Sequence, residues 1–326
     1  MRDLHDLHQL ARGGVLLFSH ALEAGWPERR LSRRLAREGW QRVRPGAWAV
    51  PGRTVDWKVR ARAVQMMQPR LVCSHDTAAQ LHRIELLHAG APPERIEFID
   101  PRRGTSRRRP GTSVHTMPLT GADWTVRKGL RVTTAARTVG DLIRRGPRED
   151  AVVAADSALS RRIVRGVSRP SLLHLDELRA ELASARRGAV RAREWLPLTD
   201  PASGSPAESV ARLRMHDAGL HPESQPTFRS PGGRTIRPDF LFRAQGLVVE
   251  IEGYAFHGTR AAHERDARRF NDLADCPEVR RVLRFTAREV FQHPEHMIAT
   301  ILMALARLGG PDALDTLRDL RRGPVT

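Results

Sequence analysis

Three acidic side chains stand in this chain where acid is least expected. The segment from Ile236 to His257, IRPDFLFRAQGLVVEIEGYAFH, puts Asp239 at the head of one predicted strand. It then carries Glu250 and Glu252 into a second, strongly apolar strand, Leu247–Ile251. Alternate strand residues share a face, so the two glutamates emerge together with Ile251 between them on the other side. Acidic residues are depleted from strands, and an unpaired buried carboxylate is costly. A divalent cation held by Asp239 and one or both glutamates answers that cost, because hard cations favour carboxylate oxygen. Ion pairs with Arg234, Arg237 or Arg243 are the other way to answer it.

The elements that must hold these groups can be read from the flanking pattern. Ser205-Pro206-Ala207-Glu208 opens a helix that runs to Ala218 and stops at Gly219. A serine cap, a proline in the first turn and a terminal glycine are start and stop signals. Glu208 also completes a capping box with Ser205. Strands are predicted at Ser224–Phe228, Asp239–Arg243, Leu247–Ile251 and Val279–Phe285, and long helices over about Arg260–Ala274 and Glu289–Leu308. Thr199–Pro206, TDPASGSP, has the composition of a linker in front of this region.

The N-terminal residues form a different pattern. Leu4, Leu7 and Leu10 recur at helical spacing before Gly13-Gly14; Ser19–Ala24 and Glu28–Glu38 are predicted as two further helices, closed by Gly25 and Gly39. Leu31 and Leu35 face inward, while Arg29, Arg30, Arg33, Arg34 and Arg37 cover the rest of the third helix. Strands Trp40–Val43 and Ala47–Val50 follow, joined by Arg44-Pro45-Gly46. A helix-turn-helix with a small wing is the natural assembly, and it presents an arginine-bearing helix to the DNA major groove. Arg44 extends that basic set into the wing.

Between these regions lie a helix at Trp57–Met67, a strand at Arg95–Ile99, a basic loop at Arg102–Arg109 and a strand at Leu130–Val132. His75-Asp76 sits at a helix start, where Ser74 or Asp76 serves as a cap. The pair reads as local structure rather than as catalysis.

The chain has 326 residues, 55 basic against 37 acidic, for a formal net charge of +18. That excess makes nucleic acid the leading partner class over membrane surfaces, for which no basic amphipathic anchor is visible. The first residues lack a secretory core segment, and Met297–Leu308 is too short to span a bilayer and reads as a buried helix. Cys73 and Cys276 have no metal-ligand spacing and are expected to stay reduced. The expected location is the cytoplasm.

The stretch SHALEAGWPERRLSRRLAREGWQRVRPGAWAVPG resembles the N-terminal winged helix of AbiEi-type antitoxins. SHDTAAQLH and VTTAARTVGDL resemble the central region found beside it. That resemblance implies DNA binding, with the protein's own operator and a cognate toxin as candidate partners. Residues 205–308 resemble the PD-(D/E)XK nuclease fold, in the small family related to very-short-patch-repair endonucleases. The matching positions are Glu208, Arg237-Pro238-Asp239, Val249-Glu250-Ile251-Glu252-Gly253, His257, Asp266, Arg269 and Leu283-Arg284-Phe285-Thr286.

The nuclease resemblance implies that Asp239 and Glu250 hold Mg2+ or Mn2+, which polarises the scissile phosphate and lowers the pKa of a bound water. It implies that Glu208 orients the metal or its water, and that His257 acts as general base or contacts phosphate. Arg269, oriented by Asp266, would stabilise transition-state charge. The lysine usual two residues after the second carboxylate is Glu252 here, and no lysine follows Lys128. That departure bears on hydrolysis more than on fold.

The expected architecture is a multidomain α+β or α/β protein. It comprises a winged helix-turn-helix at 1–52, a mixed middle region at 53–198, a linker at 199–206, a restriction-endonuclease-like domain at 207–310 and a basic tail at 311–326. The expected function is a DNA-binding, metal-dependent endodeoxyribonuclease, in phage defence or DNA repair. The alternative is an antitoxin-like transcriptional regulator whose nuclease fold is catalytically silent.

Overall fold

A computed structural model of the chain describes residues 6–87, 95–102, 104–164, 166–230, 232–252 and 268–309. Helices and several separate sheets alternate along it, giving a mixed α/β protein. It divides into two compact units, Met1–Leu142 and Ile143–Thr326. Among the described residues no helix is long and apolar enough to cross a membrane.

The first unit opens with α1 (Leu7–Leu10), β1 (Val15–Leu17), α2 (Phe18–Glu23), α3 (Glu28–Arg37), β2 (Gln41–Arg44) and β3 (Ala47–Ala49). The strands form an antiparallel sheet in the order β1-β3-β2. Leu31 and Leu35 of α3 are fully buried against Leu7, Leu16, Ala21, Trp26 and Trp40. Two leucines four apart supply the one apolar stripe an otherwise arginine-rich helix needs to dock. Strand β1 was not foreseen, because three apolar residues between a glycine pair and a helix carry no periodicity.

Helix α4 (Trp57–Met67), capped by Asp56 accepting from Val59 N at 2.9 Å, leads into a six-stranded sheet. Its members are β4 (Val72–Cys73), β5 (Ile96–Asp100), β6 (Arg107–Arg109), β7 (Thr112–Thr116), β8 (Trp124–Arg127) and β9 (Leu130–Thr133), with α5 (His75–His82) between the first two. The order is β6-β7-β5-β4-β9-β8. Leu71, Cys73, Phe98, Leu130 and Val132 form its core with Ala61 and Val64 of α4. The predicted basic loop at Arg102–Arg109 is in part a strand: Arg107–Arg109 pair antiparallel with β7. Pro110-Gly111, with Gly111 at φ +69°, closes that hairpin. Three exposed arginines conceal an edge strand from any hydrophobic pattern.

Helix α6 (Ala135–Arg145) follows. Its Arg137 is fully buried, with Nε donating to Asp141 at 2.7 Å and Nη1 lying 3.4 Å from Asp123. The VTTAARTVGDL signature is thereby accounted for as internal scaffolding, since a buried guanidinium must be matched by carboxylates.

The second unit contains α7 (Arg148–Leu159), a hairpin of β10 (Arg162–Val164) and β11 (Val167–Arg169), α8 (Leu175–Ala183), α9 (Ala189–Trp195) and α10 (Pro206–Asp217). The stretch expected as a linker, 199–206, is anchored within this unit. Buried Asp156 of α7 accepts from Asp200 N at 2.7 Å and from Arg212 Nη2 at 2.8 Å, and Ser160 Oγ donates to Ser203 O at 3.0 Å. Small polar residues suit flexible tethers and tight hydrogen-bonded turns alike, and composition does not separate the two.

Downstream come β12 (Glu223–Ser224), β13 (Phe228–Arg229), β14 (Thr235–Ile236), β15 (Phe240–Phe242) and β16 (Leu247–Glu252). Residues 268–274 form α11, followed by β17 (Arg281–Thr286), α12 (Ala287–Gln292) and α13 (Pro294–Gly309). The main sheet runs β12-β15-β16-β17, antiparallel except for the parallel pair β16–β17. The helix expected over Glu289–Leu308 is two helices, broken where Pro294 lacks an amide hydrogen and biases His293 away from helix.

Candidate functional site

Sheet register brings the acidic residues together. Phe240 pairs with Val249, so one step further puts Asp239 opposite Glu250 across β15 and β16. Asp239 Oδ2 accepts from Ile251 N at 2.7 Å, which fixes its carboxylate against the neighbouring strand. Glu208 arrives from the first turn of α10. Ser205 Oγ accepts from Glu208 N at 3.2 Å, but the Glu208 carboxylate takes Gly204 N at 2.7 Å. Only half of the expected capping box is therefore made through Ser205, and the Glu208 carboxylate also meets Gln225.

Gln225 is the residue that sequence reasoning missed. Its Nε2 donates to Glu208 Oε2 at 3.0 Å and to Asp239 Oδ1 at 2.9 Å, bridging the two carboxylates. Its backbone N donates to Asp239 O at 2.8 Å, and it stands at φ +48°, where residues with a Cβ rarely sit. The sequence had treated it as the interior of one strand, Ser224–Phe228. The chain instead bends there between β12 and β13, and Pro226 was the available signal of that break.

Burial and mutual repulsion set the electrostatics. Glu208 is pushed up to about 7, first by burial and then by Asp239. Asp239 is also pushed up to about 7, by burial and by Glu250. Glu250 moves the same way through burial, with Arg269 pulling it back. Three carboxyls crowded out of water keep protons unless a cation joins them.

Arginines occupy part of that role. Arg269 Nη2 lies 2.9 Å from Glu250 Oε1 and donates to Oε2 at 3.1 Å and to Arg237 O at 2.8 Å. Glu252 shares the face of Glu250, as the strand period requires, but it pairs with Arg284 at 2.6 Å, beside Phe270. Glu252 thus stands apart from the bridged carboxylates. Two of the arginines considered as neutralising partners go elsewhere, Arg243 to Glu223 and Arg234 to Asp272. His257 and Asp266 lie outside the described residues.

Glu250 Oε1 is buried and, although Arg269 Nη2 lies 2.9 Å away, receives no aligned hydrogen bond among the described residues. Glu250 beside Asp239, with Glu208 linked through Gln225, is an all-oxygen donor set of the kind that fits Mg2+ or Mn2+. A small cavity of about 70 Å³ lies along Glu250, Glu252, Arg269 and Arg284. An open hollow of about 460 Å³, lined by Arg234, Arg237, Arg268 and Arg269, shares Arg269 with it.

In the first unit Arg29, Arg30, Arg33 and Arg37 are exposed along α3. Arg34 is engaged, with Nε donating to Glu38 at 2.6 Å and its guanidinium 5.1 Å from the Trp26 ring centre. The Arg44 Nε is buried and has no aligned hydrogen-bond partner among the described residues. It lines a cleft of about 770 Å³ together with Arg42, Arg60, Arg70, Arg107 and Arg109. Among the described residues, Arg70 is held by a carboxylate that also lines the cleft, Asp100, at 2.9 Å.

No family model matches the chain. Two curated relatives, the uncharacterized proteins MT2308 and Rv2248 from two strains of Mycobacterium tuberculosis, are each 31% identical to it over 238 residues, spanning 72% of this chain and 82% of theirs. The chain belongs to the family of these mycobacterial proteins.

Proposed function

We propose that this protein binds DNA through the N-terminal part of its first unit and hydrolyses phosphodiester bonds with a metal-dependent site in its second. The observation that carries the reading is the convergence of Glu208, Asp239 and Glu250 from three separate elements, the first two bridged by the amide of Gln225 and the last two opposite each other across the strands. Such a group is expensive to bury and has no packing purpose that apolar residues would not serve better.

In this reading the first 52 residues are a winged helix-turn-helix, with Arg29, Arg30, Arg33 and Arg37 facing the major groove. The second unit carries a restriction-endonuclease-like fold. Asp239 and Glu250 would hold Mg2+ or Mn2+, which when bound would supply Lewis-acid polarisation of the phosphate. Glu208, pushed up to about 7, accepts a proton near neutrality, and Gln225 links it to Asp239 through a donated hydrogen bond to each. Arg269, already beside Glu250, is placed to take the charge of a phosphate in the adjoining hollow.

A second reading is supported by the same arginines. Arg269 on Glu250 and Arg284 on Glu252 neutralise acid without metal, as a silent nuclease fold in an antitoxin-like regulator would. Supercoiled plasmid and short duplexes incubated with Mg2+, Mn2+ or EDTA separate the two. Metal-dependent nicking that Asp239→Ala abolishes supports the nuclease. Shifted but intact DNA in every condition, identical for both proteins, supports the regulator.

A further inference from the structure

A second constellation lies in the first unit, built on different donors. His75 opens α5, Glu97 lies on β5 and His115 on β7, and one ligand-capable atom from each falls within 4.8 Å of the others. Strands β5 and β7 are parallel, with Glu97 opposite Ser113 and Ile99 opposite His115. A two-residue step returns to the same face, so Glu97 and His115 emerge on one side of the sheet. The start of α5 brings His75 to them, its ring centre 4.4 Å from that of His115.

Local geometry is organised around these three side chains. Ser74 is the N-cap residue of α5, yet its hydroxyl makes no cap hydrogen bond and lies 3.0 Å from His75 Nδ1. A proton on Nδ1 directed to Ser74 leaves the ring lone pair on Nε2, the tautomer a ligating histidine needs. His75 is held at φ +48°, a conformation that costs energy for any residue with a Cβ. Glu97 divides its oxygens: Oε2 accepts from Asp76 N at 3.1 Å, and Oε1 meets His115 Nε2 at 3.1 Å.

We propose that His75, Glu97 and His115 form a binding site for a zinc-class divalent transition metal ion. Two borderline imidazoles beside one carboxylate make a donor set that selects zinc, cobalt or nickel over magnesium. The ion would take the place of the proton now held between Glu97 Oε1 and His115 Nε2, and the His115 ring would then carry its proton on Nδ1, as a neutral ligating imidazole does. His75 and Glu97 are buried, while the His115 side chain is 24% exposed, which leaves an entry path and open coordination positions. The positive end of the α5 dipole opposes a cation here, and the Glu97 charge offsets it. Bound metal would tie α5 to β5 and β7, elements distant in sequence.

Dialysis of the full chain against chelator, followed by Co2+ titration with visible absorption, tests the site. The expected result is one cobalt per chain with a visible ligand-field band that Zn2+ displaces and Mg2+ does not. Glu97→Gln keeps side-chain shape and an acceptor for Asp76 N but removes the charge, and His115→Ala removes a ligand; both lose the band while retaining a folded circular dichroism spectrum. Ser74→Ala weakens binding by about 10–100-fold. The band persists in Asp239→Ala, which separates this site from the carboxylates of the second unit.

Absence of the band in the wild type, or its survival in a folded Glu97→Gln or His115→Ala variant, overturns the assignment. Should both variants unfold, X-ray absorption of the zinc-loaded wild type decides. Two imidazole ligands are required, and fewer refute the site.

Discussion

The two acidic constellations of this molecule meet the cost of a buried carboxylate in different ways. In the first unit Glu97 is surrounded by donors, an amide on one oxygen and an imidazole on the other. In the second, Glu208, Asp239 and Glu250 crowd together despite their own donors, and burial, joined by carboxylate repulsion for Glu208 and Asp239, pushes them towards their neutral forms. One environment presents nitrogen and oxygen to an ion, the other oxygen alone. The difference teaches that metal preference can be read from what a carboxylate's neighbours are rather than from how many carboxylates there are. Both places also hold a non-glycine residue at positive φ, His75 and Gln225. Local strain marks them both, as it often marks sites shaped for something other than stability.

The contrast is broken most sharply by removing the central acid of the second unit. Asp239→Ala is expected to lower metal-dependent cleavage by about a hundred- to a thousandfold, the scale on which loss of one preorganised charge-stabilising group acts. Plasmid nicking rates under single-turnover conditions measure it. Equal rates in variant and wild type would detach the chemistry from these carboxylates.

Stability against pH sharpens the comparison next. A carboxyl whose pKa is raised on folding stabilises the fold in its protonated form. That contribution is complete below the unfolded value of 4.5 and is lost as pH climbs through about 7 for Glu208. In EDTA the wild type should therefore lose stability between pH 5 and 8, by roughly 3 kcal/mol for this group. Glu208→Gln, which keeps an acceptor for Gly204 N, should flatten the slope and be the more stable protein at pH 8. Urea denaturation at the two pH values reads it, and an unchanged slope would remove Glu208 from the crowded set.

Metal selectivity comes third. Zn2+ at a hundred times its dissociation constant should stabilise the first unit by about 2.7 kcal/mol, and His115→Ala should erase that shift while leaving any Mg2+ effect in place. Asp239→Ala should do the reverse. Thermal unfolding with each ion checks both, and a shared response would mean that the two sites are not distinct in chemistry.

The smallest effect concerns α3. Replacing Arg33 by Ala should reduce the slope of log binding constant against log salt concentration by about 1 if that arginine contacts a DNA phosphate. Arg34→Ala should leave the slope nearly unchanged, because Arg34 is already paired with Glu38. Fluorescence anisotropy over a salt series distinguishes them, and equal slopes for the two variants would move the DNA surface away from this helix.

Much of the fold was legible in residues close together in the chain. Trp57–Met67 was foreseen to the residue, because Asp56 caps it and its apolar positions recur at helical spacing. Leu31 and Leu35 were placed inside and their arginine neighbours outside by the same periodicity. Strand β16 was readable from its apolar run, and the alternation of Glu250, Ile251 and Glu252 followed. The stretch 148–195, with helices α7, α8 and α9, offered weaker signals, and β6 was hidden by its three arginines.

Sequence alone determined that Asp239 and Glu250 could meet, since a tight turn between adjacent strands leaves few registers and the apolar face selects among them. It also determined the basic character of α3 and the acidic character of β16. Only the tertiary structure decided what those acids face. Gln225 bridges two of them from a bend, Arg269 comes from a helix beyond the strand, and Arg284 from a strand further still. It alone decided that His75, Glu97 and His115 meet, through a parallel pairing that no local turn dictates. Local spacing is set by the covalent geometry of the backbone, whereas the partner of a buried charge is chosen by long-range packing, which many sequences of the same local pattern could satisfy differently.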